Sequence, residues 1–296
     1  MEMQNLVAKE ITKKYKKTEV LHPTDLTIEP GKIYGLIGRN GAGKTTLLSI
    51  LSGQNPASSG RVTYKDEQVW ENRHALKEIY FSREMDHSLL LGSNTYKIKD
   101  YLDCAKCYLP NWDDAYAKRL FDSFELDIKK KINKLSKGML SMVTITLALA
   151  SRSPITMLDE PVAGLDMAAR GQFYRLLLDD YEKTERTFIV STHIVEEAAS
   201  IFEEVLLMDK GDLIEKRNTD DFLSDFHYIS GHENMINQST SELEIVHTEN
   251  LGRQKTVCVR CQAEALPTNG DLHIAPVPLH KAVLYITGGE KEENLA

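Results

Sequence analysis

The segment Gly38-Arg39-Asn40-Gly41-Ala42-Gly43-Lys44-Thr45 fits the pattern G-x-x-x-x-G-K-[ST]. Its flanks fit as well. The apolar run Ile33-Tyr34-Gly35-Leu36-Ile37 reads as a buried strand leading in, and Thr45-Thr46-Leu47-Leu48-Ser49-Ile50-Leu51 reads as a helix leading out. Gly38, Gly41 and Gly43 allow backbone conformations that a side chain would block, so the turn can wrap closely round a polyanion. Its N–H groups and the positive pole of the following helix then face phosphates. Lys44 is placed to reach β- and γ-phosphates, and the Thr45 hydroxyl to ligate Mg²⁺. The loop from Gly38 to Thr46 is therefore a candidate nucleoside-triphosphate site.

A second motif is Ile155-Thr156-Met157-Leu158-Asp159-Glu160-Pro161. A mostly apolar strand delivers two carboxylates at its C-terminal end, where open α/β sheets bind ligands. Beside a phosphate loop in the same sheet, Asp159 is suited to hold Mg²⁺, directly or through water. Glu160 is suited to polarise the water that attacks a γ-phosphate.

Residues 6–36 alternate apolar and polar positions, with turns at His22-Pro23 and Glu29-Pro30-Gly31, the pattern of short antiparallel strands. Strands follow at 61–64 and 78–82. From about 95 to 152 the periodicity is helical, with helices over 96–109, 113–124 and 137–151, the first two separated by Pro110. Strands over 155–158, 187–191 and 205–208 then alternate with helices over 168–181 and 194–201, which implies a mostly parallel sheet. A short helix at 220–225 ends this pattern. Beyond it, Glu244-Ile245-Val246-His247 and 256–259, with a turn at Asn250-Leu251-Gly252, suggest a small α+β appendage. The expected division is an ATPase domain over 1–225, with a helical subdomain over about 95–152, and an accessory domain over 226–296.

Composition narrows the function. The 36 basic and 44 acidic side chains give a net charge of −8. That balance argues against nucleic acid as the main partner, because neutralising phosphates needs concentrated Lys and Arg. Lys129-Lys130-Lys131 reads as a solvated turn or helix end. No apolar run approaches a membrane span, and Met1-Glu2-Met3-Gln4-Asn5 lacks the regions of a secretory signal; the expectation is a cytosolic chain. Cys104 with Cys107, and Cys258 with Cys261, each form C-x-x-C, but the pairs lie too far apart for a zinc ribbon. Strand alternation would also point Cys258 and Cys261 to opposite faces. All four read as reduced thiols.

Taken together, the motifs resemble those of the ATP-binding subunit of an ABC transporter over about residues 5–225. Leu135-Ser136-Lys137-Gly138-Met139 resembles the family signature, Ala163-Gly164-Leu165-Asp166 its D-loop, and Ser191-Thr192-His193 its switch histidine. Tyr15 falls where family members stack an aromatic ring on adenine. The signature departs at its third and fifth positions, where Gly and Gln are usual; its Lys-Gly-Met form is similar to bacterial exporter subunits of the drug- and peptide-antibiotic-resistance type. The fold implied is a P-loop α/β ATPase with an antiparallel β subdomain and a helical subdomain.

The resemblance also implies ATP and Mg²⁺, and a head-to-tail dimer of two copies or of this chain with a paralogous ATPase subunit. Each signature, Ser136 to Met139, and each Asp166 would then face ATP held by the other subunit. Ser136 can cap the helix that begins near Lys137, whose N-terminus is a positive pole for an anion. His193 would bond the γ-phosphate and help Glu160 hold the attacking water. Transmembrane permease subunits would hold the dimer on the inner face of the membrane and carry a substrate outward. Tyr96, Tyr101, Tyr108 and Trp112 either supply the docking surface for them or pack in the core.

One departure bears on the metal. The family places a glutamine after the strand at 78–82, in contact with Mg²⁺, and this chain has none between Gln68 and Gln172. Arg83 stands there, always cationic and without an acceptor. Either Glu84 takes over as a ligand, or Asp159, Thr45 and water suffice. Two other classes compete with transport. A soluble ABC relative in translation or DNA repair sits badly with the acidic balance and the lack of basic or coiled-coil arms. A small-molecule kinase leaves the signature segment and His193 without a role.

Overall fold

Residues 4–85, 96–267 and 271–288 are described by the computed structural model. Position 95 of the expected helical insertion, and 268–270 and 289–296 of the accessory segment, lie outside the described residues. The chain opens with an antiparallel hairpin, β1 (Leu6–Tyr15) and β2 (Thr18–Ile28). Its turn falls at Lys16-Lys17, where Lys16 takes a φ of +56°. The expected turn at His22-Pro23 is absent, because Pro23 lies inside β2. It is tolerated there because β2 is an edge strand in the sheet order β2-β1-β4-β5, where no ladder N–H is demanded of it.

The nucleotide-type core follows: β3 (Ile33–Ile37), then α1 (Lys44–Leu51). Strands β4 (Ser59–Tyr64) and β5 (Glu67–Gln68) complete the first sheet. A short helix that the periodicity did not reveal, α2 (Arg73–Glu78), is capped by the Asn72 side chain and leads into β6 (Ile79–Ser82). Three helices make the insertion, α3 (Ile98–Lys106), α4 (Asp114–Ser123) and α5 (Lys137–Ala150). Then come β7 (Ile155–Asp159), α6 (Met167–Thr184), β8 (Thr187–Thr192) and α7 (Val195–Ala198). Strands β9 (Glu204–Asp209) and β10 (Asp212–Asn218) follow.

The second sheet runs β10-β9-β3-β8-β7-β6, parallel throughout except for the β9–β10 hairpin. Every residue of β3, β7 and β8 is buried. Parallel strands covered on both faces have that character, which is why their sequences are apolar runs rather than alternations. The parallel order also sends the C-terminal ends of β3, β6, β7, β8 and β9 to one edge. Gly38, Arg83, Glu160 and His193 each follow one of those ends.

After α8 (Thr219–Leu223) comes the C-terminal part, with β11 (Phe226–His232), α9 (Glu233–Ser239), β12 (Glu244–Leu251), β13 (Gln254–Arg260), β14 (His273–Pro276) and α10 (Leu279–Ile286). The strands form an antiparallel sheet in the order β12-β13-β11-β14, and α9 covers a small core of Ile229, Ile236, Val257 and Val259. The other side of this part is not separate from the rest. Phe226, Cys258, Leu279, Ala282 and Val283 share one continuous core with Phe173, Val195, Ala198 and Phe222.

Candidate functional site

The phosphate loop is the bend between β3 and α1. Gly43 starts the helix with a φ of +104°, and a Cβ there would lie 3.0 Å from the Val20 carbonyl. A side chain would be both strained and crowded at this position. The loop encloses a cavity of about 200 Å³ lined by Val20, by Arg39 through Thr46 and by Glu160. The Lys44 side chain is buried, and Nζ donates to the Gly38 carbonyl at 2.6 Å while standing 3.4 Å from Glu160 Oε1.

The second motif meets the first across the sheet. Thr45 Oγ1 donates to Asp159 Oδ2 at 2.6 Å, and Ser191 Oγ donates to Asp159 Oδ1 at 2.9 Å. Ser191 is the register partner of Asp159 in the β7–β8 ladder, so parallel pairing alone places this hydroxyl. Next in sequence, Glu160 adopts a left-handed φ of +48°. Its N–H donates to the Ser191 carbonyl at 3.0 Å, which holds the carboxylate turned back toward the loop. His193 Nδ1 donates to Glu160 Oε2 at 2.8 Å. Glu160 Oε1 is buried and has no hydrogen-bond partner within the protein.

This arrangement suits a triphosphate and a hard divalent cation. A buried ammonium, a ring of loop N–H groups and a helix N-terminus supply the positive side. The Thr45 hydroxyl and the Asp159 carboxylate are the oxygen donors that Mg²⁺ takes. Glu160, which lines the same cavity, keeps in Oε1 an acceptor that is ion-paired with Lys44 but makes no hydrogen bond.

The remaining predicted residues divide into those brought near this edge and those kept away. Ser136 Oγ accepts the Met139 N–H at 3.2 Å, so it caps α5. A Cβ on Gly138 would lie 2.6 Å from the Gly164 carbonyl, so only glycine lets the start of α5 sit against the D-loop of its own chain. Asp166 caps α6 by accepting the Ala169 N–H at 2.8 Å. None of Ser136, Lys137, Gly138, Met139 and Asp166 lines the phosphate-loop cavity. Tyr15, at the end of β1, is 46% exposed, and its hydroxyl accepts from Asn55 Nδ2 at 2.6 Å. Glu84 is engaged by Lys137, whose Nζ stands 2.8 Å from its carboxylate, rather than by Thr45 or Asp159. Arg83 lies over the Phe81 ring, 5.9 Å from its centroid.

Two contributors had no sequence motif of their own. Ser141 Oγ donates to the Ala163 carbonyl at 2.7 Å, tying α5 to the D-loop. Arg170 Nε donates to the Leu165 carbonyl at 3.0 Å, and its Nη1 to Glu197 Oε1 at 3.2 Å. A spacing signal existed for Arg170, which follows the Asp166 cap by one helical turn, but such an arginine is ordinarily a solvated helix residue.

Residues 21–163 match the family model described as "ABC transporter". The chain carries an ABC transporter ATP-binding domain. Across most of its length this ABC chain is similar to "ABC transporter ATP-binding protein YtrB" of Bacillus subtilis (strain 168), at 24% identity over 252 residues and 85% of each chain. It is also similar to "Aliphatic sulfonates import ATP-binding protein SsuB" of Albidiferax ferrireducens, at 29% identity over 210 residues, 70% of this chain and 71% of that one. Its fold is shared with a solved ATP-binding subunit of an ABC transporter, with a TM-score of 0.64 and 22% identity over 73% of this chain and 91% of that one. A dimeric ATP-binding cassette in a post-hydrolysis state, bound to ADP and Pi, superposes with a TM-score of 0.61 at 20% identity, covering 72% of this chain and 98% of that one. The expected architecture, an ABC-type P-loop α/β ATPase with antiparallel and helical additions, is the one observed. Among the described residues, no helix is long and apolar enough to cross a membrane.

Proposed function

We propose that this ABC domain hydrolyses ATP to drive a membrane transporter, acting as a dimer beside separate permease subunits on the inner face of the membrane. The observation that carries the reading is the placement of Glu160 in the lining of the phosphate-loop cavity, with Oε1 ion-paired to Lys44 but free of hydrogen bonds while His193 holds Oε2. A carboxylate steadied on one oxygen, with its other oxygen not committed to a hydrogen bond, can take the proton of an attacking water once Lys44 turns to phosphate. Lys44 is near enough to swing from the Gly38 carbonyl to a γ-phosphate. The second ring nitrogen of His193 is left to meet the same phosphate. Mg²⁺, held by Thr45 and Asp159, would supply charge neutralisation on the phosphate oxygens.

The dimer follows from what the cavity lacks. The capped N-terminus of α5 is an anion-binding pole, yet Ser136 lines no part of the phosphate cavity of its own chain. In a head-to-tail pair, that pole closes over ATP held by the second subunit, either another copy or a paralogue. Residues 1–225 form the ATPase on this reading, and 226–296 an accessory part. Outward transport rests on the Lys137-Gly138-Met139 form of the signature, and the cargo is set by the permease.

Sedimentation and phosphate release together test the proposal. Glu160→Gln protein should form an ATP-dependent dimer and release phosphate at least about a hundredfold more slowly than wild type. A Glu160→Gln chain that hydrolyses normally would remove this residue from its role. A dimer unaffected by Ser136→Arg would remove the signature from the interface. Vesicles containing the co-purifying permease settle the direction by whether ATP outside drives cargo in or out.

A further inference from the structure

The switch segment is held between two unrelated parts of the chain. Helix α7, which follows His193, has only four residues, Val195–Ala198, extended by a single 3-10 turn at Ala199–Ile201. So short a helix cannot fix its own position; packing must do it. On one side Arg170 joins the D-loop carbonyl of Leu165 to Glu197 of α7. On the other side stands α10, the last helix described. It packs on α7, with Val195 and Ala198 buried in the same core as Leu279, Ala282 and Val283. At the rim, His280 Nε2 stands 3.2 Å from Glu196 Oε1.

A cavity of about 380 Å³ separates α10 from the nucleotide edge. Gly38 and Arg39 wall it on one side, His193 and Val195 on another, and Val283 and Leu284 on the third. The cavity thus borders α7, α10 and the start of the phosphate loop together. His193, which donates to Glu160, lines this cavity just before α7.

We infer that α10 is a positioning element for hydrolysis. It seats α7 through the Val195–Val283 side of the core and the Glu196–His280 pair, and so sets the His193 imidazole against Glu160. Glu196 and His280 are positioning residues; neither touches ATP. Glu196 is exposed and His280 half-buried, so the pair adds little stability of its own and its effect is on geometry. The C-terminal part thereby becomes a lever on turnover, and any contact that displaces α10 slows ATP hydrolysis while leaving ATP affinity alone. The inference rests on reading Glu160 and His193 as the hydrolytic pair.

The test uses the full chain, with ATP and Mg²⁺ as substrate, and reads kcat, KM, nucleotide affinity and backbone amide exchange. His280→Ala should lower kcat by about 3- to 10-fold, the loss of one positioning polar contact. KM and nucleotide affinity should stay within about twofold, and amides 195–198 should exchange faster. His280→Gln retains a side-chain N–H donor and should recover at least half of the lost rate. Val283→Asp, aimed at the apolar side of the same contact, should slow turnover further. Leu251→Ala, at the tip of the β12–β13 hairpin, should behave as wild type. If His193→Ala lowers hydrolysis while His280→Ala and Val283→Asp change neither kcat nor exchange, the inference is wrong and the site reading stands. If His193→Ala hydrolyses at the full rate, the site reading has failed, and the lever with it. A fall in Leu251→Ala equal to that in His280→Ala also overturns the inference.

Discussion

The Thr45 hydroxyl and the Asp159 carboxylate, 114 positions apart in the chain, are joined by a 2.6 Å hydrogen bond. The bond joins the first residue past the phosphate-loop lysine to the end of a strand on another part of the same parallel sheet. It sets the two oxygen donors of the candidate Mg²⁺ site one hydrogen bond apart, a spacing fixed by the fold.

Lys44→Ala should abolish nucleotide binding at micromolar concentrations, a loss of at least about a hundredfold in affinity, because a buried cation facing polyphosphate is removed. Titration with a fluorescent ATP analogue measures it. Retention of wild-type affinity would show that the loop N–H groups alone hold the phosphates.

Glu160 combines a chemical role with a left-handed backbone, φ +48°. Both Glu160→Gly and Glu160→Ala remove the carboxylate, so their difference isolates the backbone. The glycine variant should be the more stable by about 1 kcal/mol, since an L-side chain carries that penalty in the left-handed region. Chemical denaturation of the two variants decides it, and equal midpoints would mean that the backbone there is unstrained.

Where relatives of the family carry glutamine, this chain offers Arg83 and Glu84, and Glu84 is held by Lys137. Glu84→Ala should lower Mg²⁺-dependent hydrolysis by about tenfold, as loss of a group bordering a metal site does, and by more than Arg83→Ala. The reverse ranking in steady-state assays would remove Glu84 from the site.

Asp180 is fully buried and binds two arginines, Arg152 at 2.5 Å and Arg186 through the closest contact of the cluster. Burial holds the Arg186 guanidinium below its ordinary pKa, and Asp180 opposes that shift. Asp180→Ala leaves a buried cation without its anion and should cost about 3–5 kcal/mol. Asp180→Asn, which keeps an oxygen acceptor, should cost less. Urea denaturation of both variants provides the comparison; a cost below about 1 kcal/mol for the alanine would show the cluster to be solvated.

Asp113 caps α4, and the Tyr116 N–H, followed by Arg152, holds its carboxyl below the ordinary aspartate range. A lowered value means stabilisation that is complete above the ordinary range and is lost as pH falls through the lowered one. The difference in unfolding free energy between wild type and Asp113→Asn should therefore be flat from pH 6 to 8 and shrink below about pH 4. A difference that grows on acidification would reverse the assignment.

Much of this was legible because the relevant signals are local. The phosphate loop, the Asp159-Glu160 strand end and the cap Ser136 each lie within a few residues of the element they serve. The errors also have local causes. Pro23 reads as a turn in isolation, but an edge strand absorbs it. Helix α10 escaped notice because its eight residues are apolar enough to pass for another strand in a β-branched region. The contact of Glu84 with Lys137 had no local signal at all, because more than fifty positions separate the two.

By itself the sequence determined the class of chemistry: a glycine-rich turn with one lysine, and two carboxylates after an apolar strand, admit few uses other than nucleoside-triphosphate chemistry. Which partners those groups have follows from long-range packing. Parallel pairing aligns Ser191 with Asp159, and the strand ends bring His193 to Glu160. Folding of the C-terminal part puts His280 beside Glu196. Each of these contacts spans at least 30 positions, and the physical reason is the same in all three. Spacing along a chain fixes neighbours within one helix or strand, whereas neighbours across a sheet or core are fixed by which apolar faces bury each other.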